Sequence, residues 1–377
     1  MKVLIVVEPG IDGAFRHVEG LCRYLLGQGV TVHLAYSSQR GSDGLDELVH
    51  TIAANGGQTL DLRVGNAPKP NDVRAFRELR RFARSVRPDV IHAHSSKAGV
   101  LVRGMALSGI RARYFYTAHA YYGMGGTRSA TRLAFDAIET VLGRVGSTIN
   151  ISPDEAEFAR RTLRVPQRRI SVIHNPVDTT IFRPPRGDER GSIRTRFGIP
   201  DTALVLGSVG RLSFQKDPVT MHRAVAEVMA DNPNLWFCRV GRGEMDAELD
   251  VLADDLGIRP RMVSIAYLES PAEIYRAFDA FISTSRYEAG WPFVVLEAMA
   301  SELPVVVTGA RGTSDIGARG LSHCWTADTG DVGGFADAIR SWVDDTENRR
   351  PINHRSIVED RFGVDALFGA VLRLYAD

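Results

Sequence analysis

From its first residue the chain alternates short apolar runs with amphipathic stretches. Val3 to Val7 is an apolar run of five residues closed by Glu8 and Pro9, and its length reads as a buried strand. The turn Glu8-Pro9-Gly10-Ile11-Asp12-Gly13 leads into a stretch where Phe15, Val18, Leu21, Cys22, Leu25 and Leu26 recur at helical spacing. Gly27 and Gly29 then end that helix. The same unit recurs with strands near Thr31 to Tyr36, Val90 to Ala93 and Tyr114 to Thr117. A second set begins at Leu204 to Val209 and continues through Leu235 to Val240, Val263 to Ile265, Ala280 to Ile282 and Pro304 to Val307. Strands and helices in strict alternation predict parallel α/β architecture.

At 377 residues the chain has room for two such domains. Between the two sets lies Pro176 to Pro200, rich in Pro, Gly and charge, which reads as a break between domains. The expected division is a first domain over 1–178, a linker over 179–200, a second domain over 201–355 and a C-terminal helix over 356–377 packing back on the first domain. Parallel sheets bind ligands beyond the carboxyl ends of their strands. The chemistry-bearing residues stand there: His92 and His94 end one strand, His119 follows another, Gly210-Arg211-Leu212 follows the first strand of the second set, and Tyr287 and Glu288 come shortly after Ala280 to Ile282.

Composition narrows the class of protein. With 44% apolar and 24% charged residues the chain is globular. It has no apolar run of about 18 residues, the length that reads as a membrane span. The short first run also fits a strand better than a secretory signal, so a cytoplasmic location is expected. Cys22, Cys238 and Cys324 are odd in number and far apart, which argues against disulfides and a zinc site. The net charge of +1 hides an asymmetry: residues 1–180 hold 24 Lys and Arg against 16 Asp and Glu, or +8, and the remainder is −7. A basic half suits nucleic acid, an anionic membrane or a phosphorylated substrate. Nucleic acid is disfavoured, because no interleaved aromatic platforms or known module accompany the charge. A dinucleotide dehydrogenase is disfavoured too, since neither half carries Gly-x-Gly-x-x-Gly after its first strand.

Four motifs in order resemble family-four retaining glycosyltransferases of the GT-B fold, in which two Rossmann-like domains face each other across a cleft. Ile173-His-Asn-Pro-Val-Asp178 with Phe182-Arg-Pro is similar to their interdomain signature, and Gly210-Arg211-Leu with Lys216 to their diphosphate clamp. Ser285-Arg-Tyr-Glu288 through Glu297-Ala-Met-Ala resembles their paired-glutamate motif. In the first half, His94-Ser-Ser-Lys-Ala-Gly99 followed by Tyr116-Thr-Ala-His119 resembles members that build cell-surface polysaccharide on lipid carriers. The resemblance implies transfer of a sugar from a UDP- or GDP-type nucleotide-sugar to an acceptor hydroxyl, with retention of anomeric configuration and without metal or other cofactor. It gives catalytic roles to His119, Arg211, Lys216 and Glu288, and donor contacts to Gly13, Phe293, Val294 and Glu297 as well. His94, Ser95, Ser96, Lys97 and Tyr121 would line the acceptor side, with a lipid-linked saccharide as the acceptor it suggests. A nucleotide-sugar-binding protein of the same fold without transfer chemistry is the alternative.

The residue types suit those roles. Two cations and backbone amides after a strand can converge on a diphosphate, the charge of the leaving group. Glu297 opens Glu-Ala-Met-Ala after an apolar run, and a cleft-facing carboxylate there can accept both hydrogen bonds of a ribose diol. Gly13 lets backbone approach phosphate or sugar, while Gly10 fits a tight turn equally well. His92 and His94 share one face of a strand, a spacing compatible with metal. No third ligand stands nearby in the sequence, so His92 reads as a packed or hydrogen-bonded side chain. Arg74, Arg77, Arg81 and Arg84 recur at helical spacing, a solvated face by default and a docking stripe for anionic lipid as the sharper reading. Eight residues separate Glu288 from Glu297, one more than in the family. Gly290 is the expected place for the surplus, through a left-handed backbone conformation.

Overall fold

The structure, a computed structural model, describes all residues except 11, 66–68, 125–128, 267, 269–270, 311–320 and 346–351. Ile11, in the first predicted turn, therefore lies outside the described residues. The chain forms two compact units, Met1–Pro176 with Val364–Asp377, and Val177–Gly363.

The first unit holds seven parallel strands: β1 (Lys2–Val7), β2 (Thr31–Tyr36), β3 (Thr59–Asp61), β4 (Val90–His94), β5 (Arg113–Thr117), β6 (Ser147–Asn150) and β7 (Ile170–Val172). Their order is β3-β2-β1-β4-β5-β6-β7, so the direction of winding reverses between β1 and β4. Side chains of a strand alternate between faces, and β1 divides accordingly. Val3, Ile5 and Val7 pack with Phe15, Val18 and Leu21 of the helix Asp12–Gly27 and with Phe368 and Val371 of the last helix, Val364–Ala376. Leu4 and Val6 pack on the opposite core with Ala75, Leu79 and Ala83 of the helix Asn71–Val86. That helix is amphipathic, with Arg74, Arg77, Arg81 and Arg84 exposed on its other side.

The second unit repeats the plan with β8 (Leu204–Val209), β9 (Leu235–Val240), β10 (Met262–Ile265), β11 (Ala280–Ser283), β12 (Val305–Thr308) and β13 (Cys324–Ala327). The order β10-β9-β8-β11-β12-β13 places its switch point between β8 and β11. Leu206, Phe237, Ile282 and Val306 meet Val225 and Val228 of the helix Pro218–Asp231 and Trp342 of the helix Val332–Asp345 in one core.

The stretch 179–200 carries a helix, Glu189–Arg196, that belongs to the second unit. Buried Arg194 fixes it, bonding the Ala277 and Ala203 carbonyls and pairing with Asp279 at 2.7 Å. At the other end of the unit, the helix His354–Phe362 stops at Gly363, and the helix that follows belongs to the first unit.

Candidate active site

In the second unit, the backbone leaving β8 runs tightly against the residues after β9. The Gly210 amide donates to the Val240 carbonyl and the Leu212 amide to the Arg242 carbonyl, both at 2.9 Å. A Cβ on Gly241 would lie 1.8 Å from the Gly210 carbonyl oxygen, and one on Gly243 would lie 2.0 Å from that of Leu212. Only glycine permits this approach. The sequence reading passed over both, although Gly-x-Gly directly after an apolar strand is a legible signal for close backbone contact.

The following turn, Ser213 to Asp217, is stapled to the loop after β11. The Arg286 amide donates to the Gln215 carbonyl at 2.8 Å, and Gln215 Nε2 donates to the Tyr287 carbonyl at 3.0 Å. The Thr284 hydroxyl faces the carbonyls of Lys216 and Asp217 at 3.0 and 2.8 Å. Arg286 pairs with Asp217 Oδ1 at 2.9 Å. Across this staple Lys216 Nζ forms an ion pair with Glu288 Oε1. A small hollow beside it is lined by Gly210, Arg211, Lys216, Ser283 and Val294. Phe293 and Val294, both half-buried, begin the helix Phe293–Ala300.

Two expectations for this loop are corrected. Gly290 is not among the glycines at positive φ. The surplus residue is taken up in a bend over residues 289–291, anchored by buried Trp291, whose ring stacks on Phe362 at 5.2 Å. Glu297 does not present its carboxylate to an open cleft. It is fully buried, and its Oε2 accepts a hydrogen bond from the Tyr275 hydroxyl at 2.7 Å, because Glu297 lies in the buried stretch 295–300 of a helix that is apolar at every other position.

In the first unit the strand ends gather histidines. Parallel register sets His94 beside Val7 on one side and Thr117 on the other. Gly13 lies in the first turn of the helix that also carries His17. His94 Nδ1 and His119 Nε2 are 3.0 Å apart, and His17 Nδ1 is 3.1 Å from Asn175 Oδ1. His92 is held from both sides, by the Tyr375 hydroxyl at 2.5 Å and Thr117 Oγ1 at 2.9 Å. Burial, reinforced for His92, His94 and His119 by neighbouring imidazoles, favours neutral rings. His17 is lowered to about 4, and His92, His94 and His119 fall well below the usual histidine range.

The backbone here is strained: Ser95 has φ of 81°, His119 of 55° and Ala120 of 86°. Glu155 holds the second of these turns, its two oxygens accepting from the amides of Ala120 at 2.8 Å and Ile151 at 2.7 Å. Complete burial outweighs those bonds and raises the Glu155 carboxyl to about 7. Neither His17 nor Glu155 was singled out from the sequence, Asn175 stood only as one position of the Ile173–Asp178 motif, and the fold brings His17 and His119, both distant in sequence, to His94. Two residues expected to line the acceptor side are engaged within this unit. Lys97 pairs with Asp72 at 2.5 Å, and Tyr121 is buried against Phe158 with its hydroxyl 3.3 Å from Asn150 Oδ1. Ser95 and Ser96 are half-buried at the start of the helix Ser96–Ala106.

Two doubly wound parallel domains in succession match the GT-B fold. The chain belongs to the family-four glycosyltransferases, a group that uses nucleotide-sugar donors in polysaccharide and glycolipid synthesis. Residues 11–181 match the family described as Glycosyltransferase Family 4, and residues 189–357 match Glycosyl transferases group 1. The UDP-Gal:alpha-D-GlcNAc-diphosphoundecaprenol alpha-1,3-galactosyltransferase of Escherichia coli is 26% identical, over 81% of this chain and 80% of that protein. The D-inositol 3-phosphate glycosyltransferase of Mycolicibacterium smegmatis is 27% identical over 77% and 68%. In fold, the chain is similar to Anabaena Alr3699/HepE in its complex with UDP-glucose, with a TM-score of 0.83, 19% identity and coverage of 100% and 99%. Among the described residues no helix is long and apolar enough to cross a membrane.

Proposed function

We propose that the chain moves a hexose from a UDP-sugar to an acceptor hydroxyl with retention of configuration, and that it does so without a metal. The observation that carries this reading is the ion pair of Lys216 and Glu288, which come from loops 72 residues apart and meet beside Arg211 at the strand ends of the second sheet. A diphosphate entering there gives Lys216 and Arg211 an anionic partner, and Glu288 is left to accept hydrogen bonds from the sugar. The bond from the anomeric carbon to the diphosphate oxygen breaks as the bond to the acceptor oxygen forms on the same face. The acceptor proton passes to the departing diphosphate. Arg211 and Lys216 stabilise the charge that develops on it, and His119, kept neutral, offers a hydrogen bond to the sugar. Glu297 keeps its Oε2 bond to Tyr275 and has acceptor capacity left for a ribose hydroxyl. UDP is the donor nucleotide most consistent with the relatives, one acting on UDP-Gal and another crystallised with UDP-glucose.

The acceptor in this reading is a lipid-linked saccharide, as in the name of the Escherichia coli relative. The exposed arginines 74, 77, 81 and 84 would hold the protein at an anionic membrane. Salt-sensitive binding to anionic vesicles, lost when the four become Gln, tests that part. The reaction is tested by incubating the protein with radiolabelled UDP-sugars and lipid-linked or soluble acceptor analogues. Labelled product supports transfer, whereas saturable UDP-sugar binding without product in every combination leaves a binding protein.

A further inference from the structure

The histidines at the strand ends of the first sheet have a geometry that hydrogen bonding alone does not explain. The ring centroids of His17, His94 and His119 form a nearly equilateral triangle with sides of 4.9, 5.3 and 5.5 Å. One ring nitrogen of each lies within 4.8 Å of one from the other two. Three imidazoles bound to one tetrahedral ion at about 2.0–2.1 Å have centroids roughly 5 Å apart and ligand nitrogens roughly 3.4 Å apart. His94 Nδ1 and His119 Nε2 already stand at 3.0 Å, and a His17 ring nitrogen lies within 4.8 Å of both rings' ligand atoms.

Two further features fit. Asn175 Oδ1 can only accept, so His17 donates from Nδ1, which leaves Nε2 with a lone pair. Ligating histidines are commonly oriented in this way. His92 has a partner on each ring nitrogen, whereas His94 Nε2 and the adjacent Ser95 Oγ are buried with no hydrogen-bond partner among the described residues.

We propose that His17, His94 and His119 bind a divalent transition metal ion of the zinc, cobalt or nickel class, with a fourth position open to water. Binding replaces the shared proton between His94 and His119 with two metal–nitrogen bonds. That proton moves to the other nitrogen of its own ring, so all three ligands stay neutral. All-imidazole donors favour these ions over magnesium or calcium. The transfer reading gives the His119 ring a contact to the sugar, so an ion held by the same ring is expected to inhibit that metal-independent reaction, and in this the proposal rests on that reading.

The test is titration of the chelator-treated protein with Co²⁺, followed by its visible absorption and by calorimetry, neither of which needs a sugar substrate. One equivalent is expected to bind with the intense bands of tetrahedral cobalt, and Zn²⁺ should displace it. His17→Gln and His119→Gln should each weaken binding at least about tenfold, while His50→Gln, an exposed histidine elsewhere in the unit, should not. His119→Gln alone decides the matter if His17→Gln does not fold. Absence of saturable cobalt binding to the wild type, or equal binding by the folded variants, overturns the proposal. Either result leaves the transferase reading untouched, because that reading is tested by product formation.

Discussion

The carboxyl ends of the two sheets share a topology and differ in chemistry. Those of the first sheet are lined by buried imidazoles that desolvation keeps neutral, with a buried carboxyl raised to about 7 behind them. Those of the second sheet carry Arg211, the Lys216–Glu288 pair and the Arg286–Asp217 pair. The same winding thus presents neutral hydrogen-bonding groups in one unit and formal charge in the other. A diphosphate needs the second kind of surface, and a sugar hydroxyl is better served by the first.

Removing charge from the second surface should have the largest effect. Lys216→Ala should lower turnover about ten- to a hundredfold, because it removes a charge-assisted hydrogen bond worth roughly 1.5–3 kcal/mol. Steady-state kinetics with the preferred donor check this, and wild-type kinetics would remove Lys216 from the clamp. Glu288→Gln should lower turnover at least about tenfold. UDP affinity in that variant should hold or rise, because the carboxylate that neutralises Lys216 is gone. An affinity that falls along with turnover would mean that Glu288 chiefly positions Lys216.

The first surface should reveal itself through pH rather than charge removal. Histidines whose folded pKa is depressed contribute stability that is fully present above their unfolded value of about 6.5 and is lost as pH falls toward about 4, the value for His17. Urea midpoints should therefore drop steeply between pH 7 and pH 5, and His17→Gln should flatten that drop. Glu155 works in the opposite sense and should give the smallest effect. Its raised pKa means that its contribution is complete below about 4.5 and is lost as pH rises through about 7. The stability difference between wild type and Glu155→Gln should therefore shrink from pH 5 to pH 8. A pH-independent difference would mean that the carboxyl is not held in its neutral form.

The sequence made the central strands plain because β1, β2, β8 and β9 are six residues long, mostly apolar and mostly buried. It did not reveal β3, β6, β7 or β13. These have three or four residues each, interspersed with Ser, Thr, Asn and Asp, and much of their length is half-buried, so periodicity has too few positions to register. Arg211, Lys216 and Glu288 could be singled out because each lies in a loop after a strand and within a motif that resembles the family's. His17 was not, since it occupies one position of a helix otherwise read for its apolar stripe, and only the fold brings it to His94 and His119. The partner of Asn175 and the role of Tyr275 escaped notice for the same reason: each acts on a residue distant in sequence, at separations of 158 and 22 residues. The backbone at Gly290 was misjudged because spacing counts residues but not the anchor supplied by Trp291.

Calorimetric titration of UDP into the wild type, Arg211→Ala and Lys216→Ala tests most directly whether the charged strand ends of the second sheet hold the donor's diphosphate. The wild type should bind one UDP, and each substitution should weaken binding about ten- to a hundredfold, the loss of one charge-assisted hydrogen bond. UDP affinity equal in all three proteins would contradict the account.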